Sequence, residues 1–122
     1  MEKIRLKKLF YNNKWRKPSA KKFFKHYTYN GAEIKIPNCN GEDIKKCINS
    51  AKIGANKFKS FSNIKKSNIL KKISLIIKKE ANNLAIKESV ELGKNFSNAK
   101  KEMLACADLW SHASKEVKEK KN

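Results

Sequence analysis

Hydrophobic and polar residues follow two different patterns, which divide the chain into a strand-like first third and a helical remainder. Up to residue 37 the apolar positions occur in short runs separated by turn residues. Asn12-Asn13 and Asn30-Gly31 are pairs that tolerate the positive φ of a tight hairpin turn. The pattern therefore predicts two β-hairpins, with strand residues at 9–15, 22–27 and 33–37. Pro37 ends the last strand because it has no N–H to donate to a ladder.

From residue 40 onward the apolar residues recur every three or four positions, which is the period of an amphipathic helix. We predict about four helices: one that begins after Asn40, and others at about 63–80, 83–92 and 98–116. The predicted breaks are the Asn82-Asn83 pair, a C-cap at Gly93 and an N-cap at Ser97. Because the hairpins precede the helices without β-α-β alternation, the fold class is α+β.

The apolar stripes are interpreted as core positions, and the aromatic residues of the hairpins as one face of a half-buried sheet. In the first helix this stripe consists of Ile44, Cys47, Ile48, Ala51 and Ala55.

Composition adds a strong positive charge, since the 122 residues carry a formal net charge of +19. Such a positive balance is typical of proteins that bind nucleic acid. Only Arg5 and Arg16 are arginine, however, and the remaining 28 basic residues are lysine. Together with the many Asn and Ile residues, this composition indicates an A/T-rich genome in which lysine is the default surface residue. A lysine-rich nucleic-acid-binding module stays an alternative, without a recognised motif to support it.

The reactive side chains do not form a familiar site in the sequence. The three cysteines lack a C-x-x-C pair, and neither histidine stands at a zinc-ligand spacing from them. Gly93-Lys94 resembles the end of a phosphate-binding loop, but Glu88 replaces its first glycine and Asn95 its hydroxyl residue. The N-terminus has no apolar core of a secretory signal, and no apolar run could span a membrane. We therefore expect a reduced, cytoplasmic protein.

Several ordered blocks between residues 9 and 113 resemble the N-terminal part of the NAD(P)-dependent aldehyde dehydrogenase superfamily. FYNNKW at 10–15 is similar to the family's opening strand, and EDI at 42–44 and ILKKI at 69–73 are similar to its first helices. The most specific block lies at 84–99, where Leu84-Ala85, Glu88-Ser89 and Gly93-Lys94 fall in the family's register. Asn95 departs from the family's proline.

The resemblance implies a fragment of a larger enzyme. Residues 9–116 would be the incomplete N-terminal portion of a cofactor-binding domain, between a basic tail at 1–8 and a charged tail at 117–122. In the full-length family this portion is part of an α/β fold. The family oxidises aldehydes to carboxylic acids with NAD or NADP, but its catalytic cysteine, catalytic glutamate and cofactor loops lie beyond the matched stretch. We therefore expect no catalytic or cofactor-binding residue here, no cofactor bound by this chain alone, and no activity alone.

The resemblance also implies one site within the chain. Many family members bind a monovalent cation through backbone carbonyls and a helix carboxylate, and these positions correspond to Lys25, His26 and Glu91. An ordinary exposed carboxylate near a helix end is the alternative interpretation of Glu91.

The expected partner is the missing C-terminal portion of the dehydrogenase, either lost by truncation or encoded separately as in a split enzyme. The full-length family forms homo-oligomers, and neither a specific nucleic acid nor a membrane is expected as a partner. Without the rest of the fold, the helices would lose the partner of their apolar stripes. The isolated chain is thus expected to be partly molten and prone to aggregation.

Overall fold

The computed structural model describes residues 8–120, in which two β-hairpins are followed by three helices. This arrangement confirms the α+β class, with one helix fewer than the sequence pattern predicted. The elements are β1 (Leu9–Tyr11), β2 (Lys14–Arg16), β3 (Phe23–Tyr27), β4 (Glu33–Pro37), α1 (Gly41–Lys59), α2 (Asn63–Leu92) and α3 (Phe96–Glu119).

Both predicted hairpins form at the predicted turns. β1 pairs antiparallel with β2, and the turn residues Asn12 and Asn13 have φ values of 49° and 56°. β3 pairs antiparallel with β4, and Gly31 in their turn has a φ of 81°. Asparagine and glycine are the residues that adopt this left-handed region at least cost, which is why these turns were readable from sequence.

The first turn of α1 is held by hydrogen bonds between Asn40 and Asp43. The Asn40 side chain accepts a hydrogen bond from the Asp43 N–H at 3.0 Å, so Asn40 is the N-cap of the helix that was predicted to begin after it. The Asn40 N–H in turn donates to the Asp43 carboxylate at 3.3 Å. These reciprocal bonds satisfy donors that the first turn of a helix otherwise leaves without a partner.

The prediction of separate helices at 63–80 and 83–92 was wrong, because α2 is one continuous helix of 30 residues. Asn82 and Asn83 both lie on its exposed side, where a polar side chain need not compete with the helical backbone. Asn83 donates instead to the Glu80 carboxylate at 2.8 Å. α2 ends at Gly93, whose φ of 70° confirms the predicted C-cap.

The predicted N-cap at Ser97 was also wrong, since Asn95 caps α3. The Asn95 side chain accepts hydrogen bonds from the N–H groups of Ser97 and Asn98, at 2.9 and 3.4 Å. Asn95 therefore closes the helix that follows the αL turn at Gly93. α3 also continues through Glu119, so the expected charged tail is helical at 117–119, while 121–122 and most of the expected basic tail at 1–8 lie outside the described residues.

The fully buried residues of α2 and α3 are small ones that form a seam, while large apolar residues such as Ile69 and Ile73 are half-buried. The Ser74 hydroxyl donates to the Ala107 carbonyl at 2.7 Å, and the hydroxyls of Ser67 and Ser114 lie 3.1 Å apart. Small side chains let two helix backbones approach closely, and these hydrogen bonds satisfy the buried hydroxyls. The buried positions of the two helices are Ser67, Ser74, Ala81, Ala85, Ala99, Ala107 and Ser114.

The chain divides after Lys59 into two compact units, each with its own packing. In the first unit the apolar stripe predicted as core is exposed except at Cys47, which is half-buried; Ile44 and Ile48 are 52% and 49% exposed. All five residues of β3 are exposed as well, so the expected half-buried sheet face is absent at this strand. Among residues 8–120, no helix is long and apolar enough to cross a membrane.

Candidate functional site

The residues of the predicted cation site lie in both units. Lys25 and His26 occupy the middle of β3 in the first unit, where they pair with Lys35 and Ile34 of β4. Glu91 is an exposed residue in the last turn of α2 in the second unit. The cation site therefore stays a prediction. Within the described part of the chain, no group of three or more His, Cys, Asp and Glu residues is arranged to hold a metal ion.

Asp43 is the most deeply buried charged residue described, with 2% of its surface exposed. Its two carboxylate oxygens accept from the Ser19 N–H at 2.9 and 3.1 Å, and the Ser19 hydroxyl donates a further hydrogen bond. The Ser19 hydroxyl is the main cause that holds the pKa of this carboxyl below its usual range, with the N–H groups of Ser19 and Asn40 adding to it.

The Asp43 carboxylate therefore ties the segment between β2 and β3 to the start of α1. Its oxygens are occupied by backbone and hydroxyl donors, which suits a structural anchor better than an acid–base group. The Asn40-x-x-Asp43 spacing signals the local half of this network. Ser19 lies 24 residues before Asp43 in the sequence, and no local sequence pattern predicts its contact with Asp43.

Lys94, which follows the αL glycine, forms the main ion-pair cluster of the second unit. Its ammonium lies 2.9 Å from a carboxylate oxygen of Glu88 and 2.5 Å from one of Glu102. The hydrogen bond to Glu102, followed by that to Glu88, raises the pKa of the Lys94 amine. The cluster joins the end of α2 to the first turns of α3. Since both carboxylates already neutralise this lysine, the structure agrees with rejection of a phosphate-binding role for Gly93-Lys94.

The three cysteines are free thiols in different settings. Cys39 is exposed, and Cys47 and Cys106 are half-buried. Desolvation, with smaller effects from Asp43 and Cys47, raises the pKa of the Cys39 thiol. A raised pKa lowers the thiolate fraction at neutral pH, which is opposite to what a nucleophilic cysteine requires. The setting of Cys39 therefore does not favour a role as a nucleophile.

An open cleft of about 260 Å³ lies between the β1–β2 turn and α1. It is lined in part by Lys46, Asn49 and Ser50. The Lys46 ammonium is paired with Glu42 at 2.5 Å, and the Ser50 hydroxyl accepts from the Asn12 N–H at 2.9 Å. Lys46 and Ser50 are thus engaged within the chain, and the Asn12–Ser50 hydrogen bond links the hairpin to the helix across this cleft.

Comparison with known proteins identifies the family of this chain. The sequence model described as the aldehyde dehydrogenase family matches residues 15–122. The chain belongs to the aldehyde dehydrogenase family. The resemblance found in the sequence is thereby confirmed for nearly the whole chain. No curated protein matches this member of the family in a sequence search.

Solved aldehyde dehydrogenases share the fold of this chain. An NAD-dependent aldehyde dehydrogenase from Sinorhizobium meliloti is similar over 96% of this chain and 25% of its own, with a TM-score of 0.83 and 23% identity. An aldehyde dehydrogenase from Brucella melitensis is similar over 92% of this chain and 24% of its own, with a TM-score of 0.85 and 21% identity. The chain thus spans about a quarter of the length of the enzymes that it matches.

A betaine aldehyde dehydrogenase from Staphylococcus aureus, solved with NAD+, gives a similar result. It matches 93% of this chain and 24% of its own with a TM-score of 0.83, at 14% identity. At such low identities the likeness shows the fold alone. The match nevertheless covers nearly all of the chain.

Proposed function

We propose that this chain is the N-terminal quarter of an aldehyde dehydrogenase and works only together with the polypeptide that follows this quarter in its relatives. The family match over residues 15–122, combined with coverage of 24–25% of the solved enzymes, carries the proposal. In this view α1, α2, α3 and the hairpins are scaffold, and the reacting groups belong to the downstream polypeptide. The assembled enzyme oxidises aldehydes to carboxylic acids in the cytoplasm, with NAD or NADP as the oxidant.

The chemistry of the described residues supports this division of labour. The family reaction needs a nucleophilic cysteine, a base and a cradle for the nicotinamide cofactor. Here the buried carboxylate of Asp43 is an anchor, the lysine of Gly93-Lys94 is neutralised by two carboxylates, and the Cys39 thiol has a raised pKa. We propose accordingly that the chain alone neither binds NAD(P) nor turns over aldehyde.

The deciding experiment begins with the DNA beyond codon 122, read in all three forward frames. We expect it to encode a catalytic cysteine, a catalytic glutamate and a cofactor loop. Co-expression of that downstream polypeptide with this chain is expected to give aldehyde-dependent NADH or NADPH formation, which neither piece gives alone. Unrelated downstream sequence, or full activity of the downstream piece without this chain, would contradict the proposal.

The predicted cation site and the homo-oligomeric state are part of the proposal and are testable in the same assembled enzyme. Replacement of Glu91 by Ala is expected to remove a dependence of thermal stability on potassium or sodium. An unchanged dependence would make Glu91 an ordinary helix carboxylate. Sedimentation of the assembled enzyme would report its oligomeric state.

A further inference from the structure

Two Asn-Gly pairs in the first unit share the same chemistry but lie in different surroundings. Asn30-Gly31 lies in the turn between β3 and β4, and Asn40-Gly41 lies at the start of α1. In such a pair the glycine nitrogen can attack the carbonyl carbon of the asparagine side chain, because glycine has no Cβ to obstruct ring closure. All four residues are exposed, so water has access to both pairs.

Hydrogen bonds hold the first pair against this attack. The Gly31 N–H donates to the Thr28 carbonyl at 2.9 Å, which occupies the nucleophile. The Asn30 side-chain oxygen accepts from the Thr28 hydroxyl and, at 3.3 Å, from the Ala32 N–H. Attack by the Gly31 nitrogen therefore requires that the turn open first.

The second pair leaves its nucleophile available. Gly41 is the first residue of α1, and within residues 8–120 its N–H donates to no acceptor, as expected for this position of a helix. A Cβ added at Gly41 would meet no atom within 4 Å, so the surrounding space is open. The Asn40 side-chain oxygen accepts from the Asp43 N–H at 3.0 Å, and a donor at this place stabilises the negative charge that the oxygen gains during attack.

We propose that Asn40-Gly41 is a site of spontaneous, irreversible deamidation and that the fold protects Asn30-Gly31 from the same reaction. The Gly41 nitrogen gives up its proton and bonds to the side-chain carbonyl carbon of Asn40. The bond from that carbon to the amide nitrogen breaks, and ammonia leaves with the proton. Water then opens the succinimide ring at either carbonyl, which leaves aspartate or isoaspartate and one more negative charge. Water is the only co-reactant, and the reaction depends on residues of the first unit and not on the proposed function.

The two products differ in their effect on the start of α1. Three hydrogen bonds meet at Asn40: its side chain and its N–H bond to Asp43, and its backbone carbonyl accepts from the Ile44 N–H at 3.1 Å. Aspartate keeps the backbone and is as good an N-cap as asparagine. Isoaspartate lengthens the main chain by routing it through the side chain, so these bonds cannot all form. Asp43, which also holds Ser19, then loses part of its support, and the tie between the β2–β3 segment and α1 loosens.

The first measurement ages the whole 122-residue chain in mildly alkaline buffer, in parallel without denaturant and in urea. Trypsin cleaves after the lysines that flank the two pairs, so these fall in separate peptides, 26–35 and 36–45, and mass spectrometry follows the conversion of each. The ratio of the two rates in urea gives the intrinsic reactivities, by which the ratio in the folded chain is divided.

After this correction Asn40 is expected to convert about tenfold or more faster than Asn30 in the folded chain, because the Gly31 nitrogen must first lose its hydrogen bond and the turn must open. A corrected ratio of one or below would overturn the proposal.

Gly41→Ala tests whether the Gly41 nitrogen is the nucleophile. The added methyl group obstructs ring closure but fits the open space around Gly41, and alanine is a better helix former than glycine. We expect this variant to slow the conversion of Asn40 by about tenfold or more and to leave that of Asn30 unchanged. Undiminished conversion of Asn40 in Gly41→Ala would overturn the proposed reaction.

Asn40→Asp supplies the aspartate product directly and separates its effect from that of isoaspartate. The unfolding midpoint of Asn40→Asp is expected to equal that of the fresh chain. The isoaspartate form, separated chromatographically from the aged chain, is expected to unfold several degrees lower. An isoaspartate form with the midpoint of the fresh chain would contradict the loosening of α1.

Discussion

Asp43 shows at the scale of a residue how a buried charge holds two distant parts of the chain together. Replacement by Asn removes the charge that strengthens the hydrogen bonds from Ser19 and Asn40, so the unfolding midpoint at pH 7 is expected to fall by several degrees. Because the folded pKa lies below the usual value of about 3.9, this stabilisation is present above that pH and is lost as pH falls through the folded pKa. The gap between wild type and Asp43→Asn should therefore close in acid.

Circular dichroism melts at several pH values measure the Asp43 prediction. Asp108→Asn is the matched control, because Asp108 is an exposed aspartate of α3. We expect it to leave the midpoint nearly unchanged. A gap between wild type and Asp43→Asn that stays constant between neutral pH and strong acid would contradict the role given to the carboxylate.

Lys94 provides the opposite pH dependence. Its folded pKa is raised by Glu102 and Glu88, so its stabilising contribution is complete below about pH 10.4 and is lost as pH rises through the folded pKa. Lys94→Met is expected to lower the unfolding midpoint at pH 7, since it leaves Glu88, whose side chain is only 18% exposed, without its cation. Above the folded pKa the two proteins should converge, whereas exposed Lys101→Met should match wild type throughout.

The α2–α3 pair shows at the scale of an element how small residues set the helix spacing. Ala107 is fully buried, and its carbonyl accepts the Ser74 hydroxyl. Ala107→Leu is expected to cost about 1–3 kcal/mol in the free energy of unfolding, because a closely packed seam cannot accommodate the added volume. Ala105→Leu, at an exposed position of α3, is the control. A urea titration in which both variants match wild type would show that the seam is loose.

The elements also show which features were predictable from sequence. The turns at Asn12-Asn13 and Gly31 and the cap at Gly93 were predicted because each depends on the φ that a residue tolerates locally. The seam was not predicted, since Ser74 is counted as polar in a hydrophobicity pattern although its hydroxyl is satisfied inside the helix pair. Whether an apolar stripe is covered depends on distant parts of the fold, which is why the stripe on α1 was mistaken for core.

For the same physical reason, the candidate sites were only partly predictable. The Gly93-Lys94 pair was recognised as a helix end. The two carboxylates around Lys94 come from α2 and α3, so their proximity could be found only from the three-dimensional structure. The proposed cation ligands Lys25, His26 and Glu91 lie far apart in sequence and in separate units, so only the family resemblance brought them together.

At the scale of the whole molecule, the amount of exposed apolar surface is the property that the downstream polypeptide should change. Ile44, Leu75 and Leu109 are 52%, 59% and 70% exposed, and the net charge of +19 opposes compaction. We expect the chain alone to bind a hydrophobic dye such as ANS strongly, to aggregate, and to melt over a wider temperature range than the assembled enzyme, although with a midpoint that the variants above still shift. Addition of the downstream polypeptide should reduce dye binding and sharpen the melt, because the apolar faces are then covered.

A control with serum albumin separates specific assembly from simple dye competition. A sharp, cooperative melt and a dispersed NMR spectrum for the chain alone would show that these 122 residues are a complete folding unit and that their exposed apolar faces need no further cover.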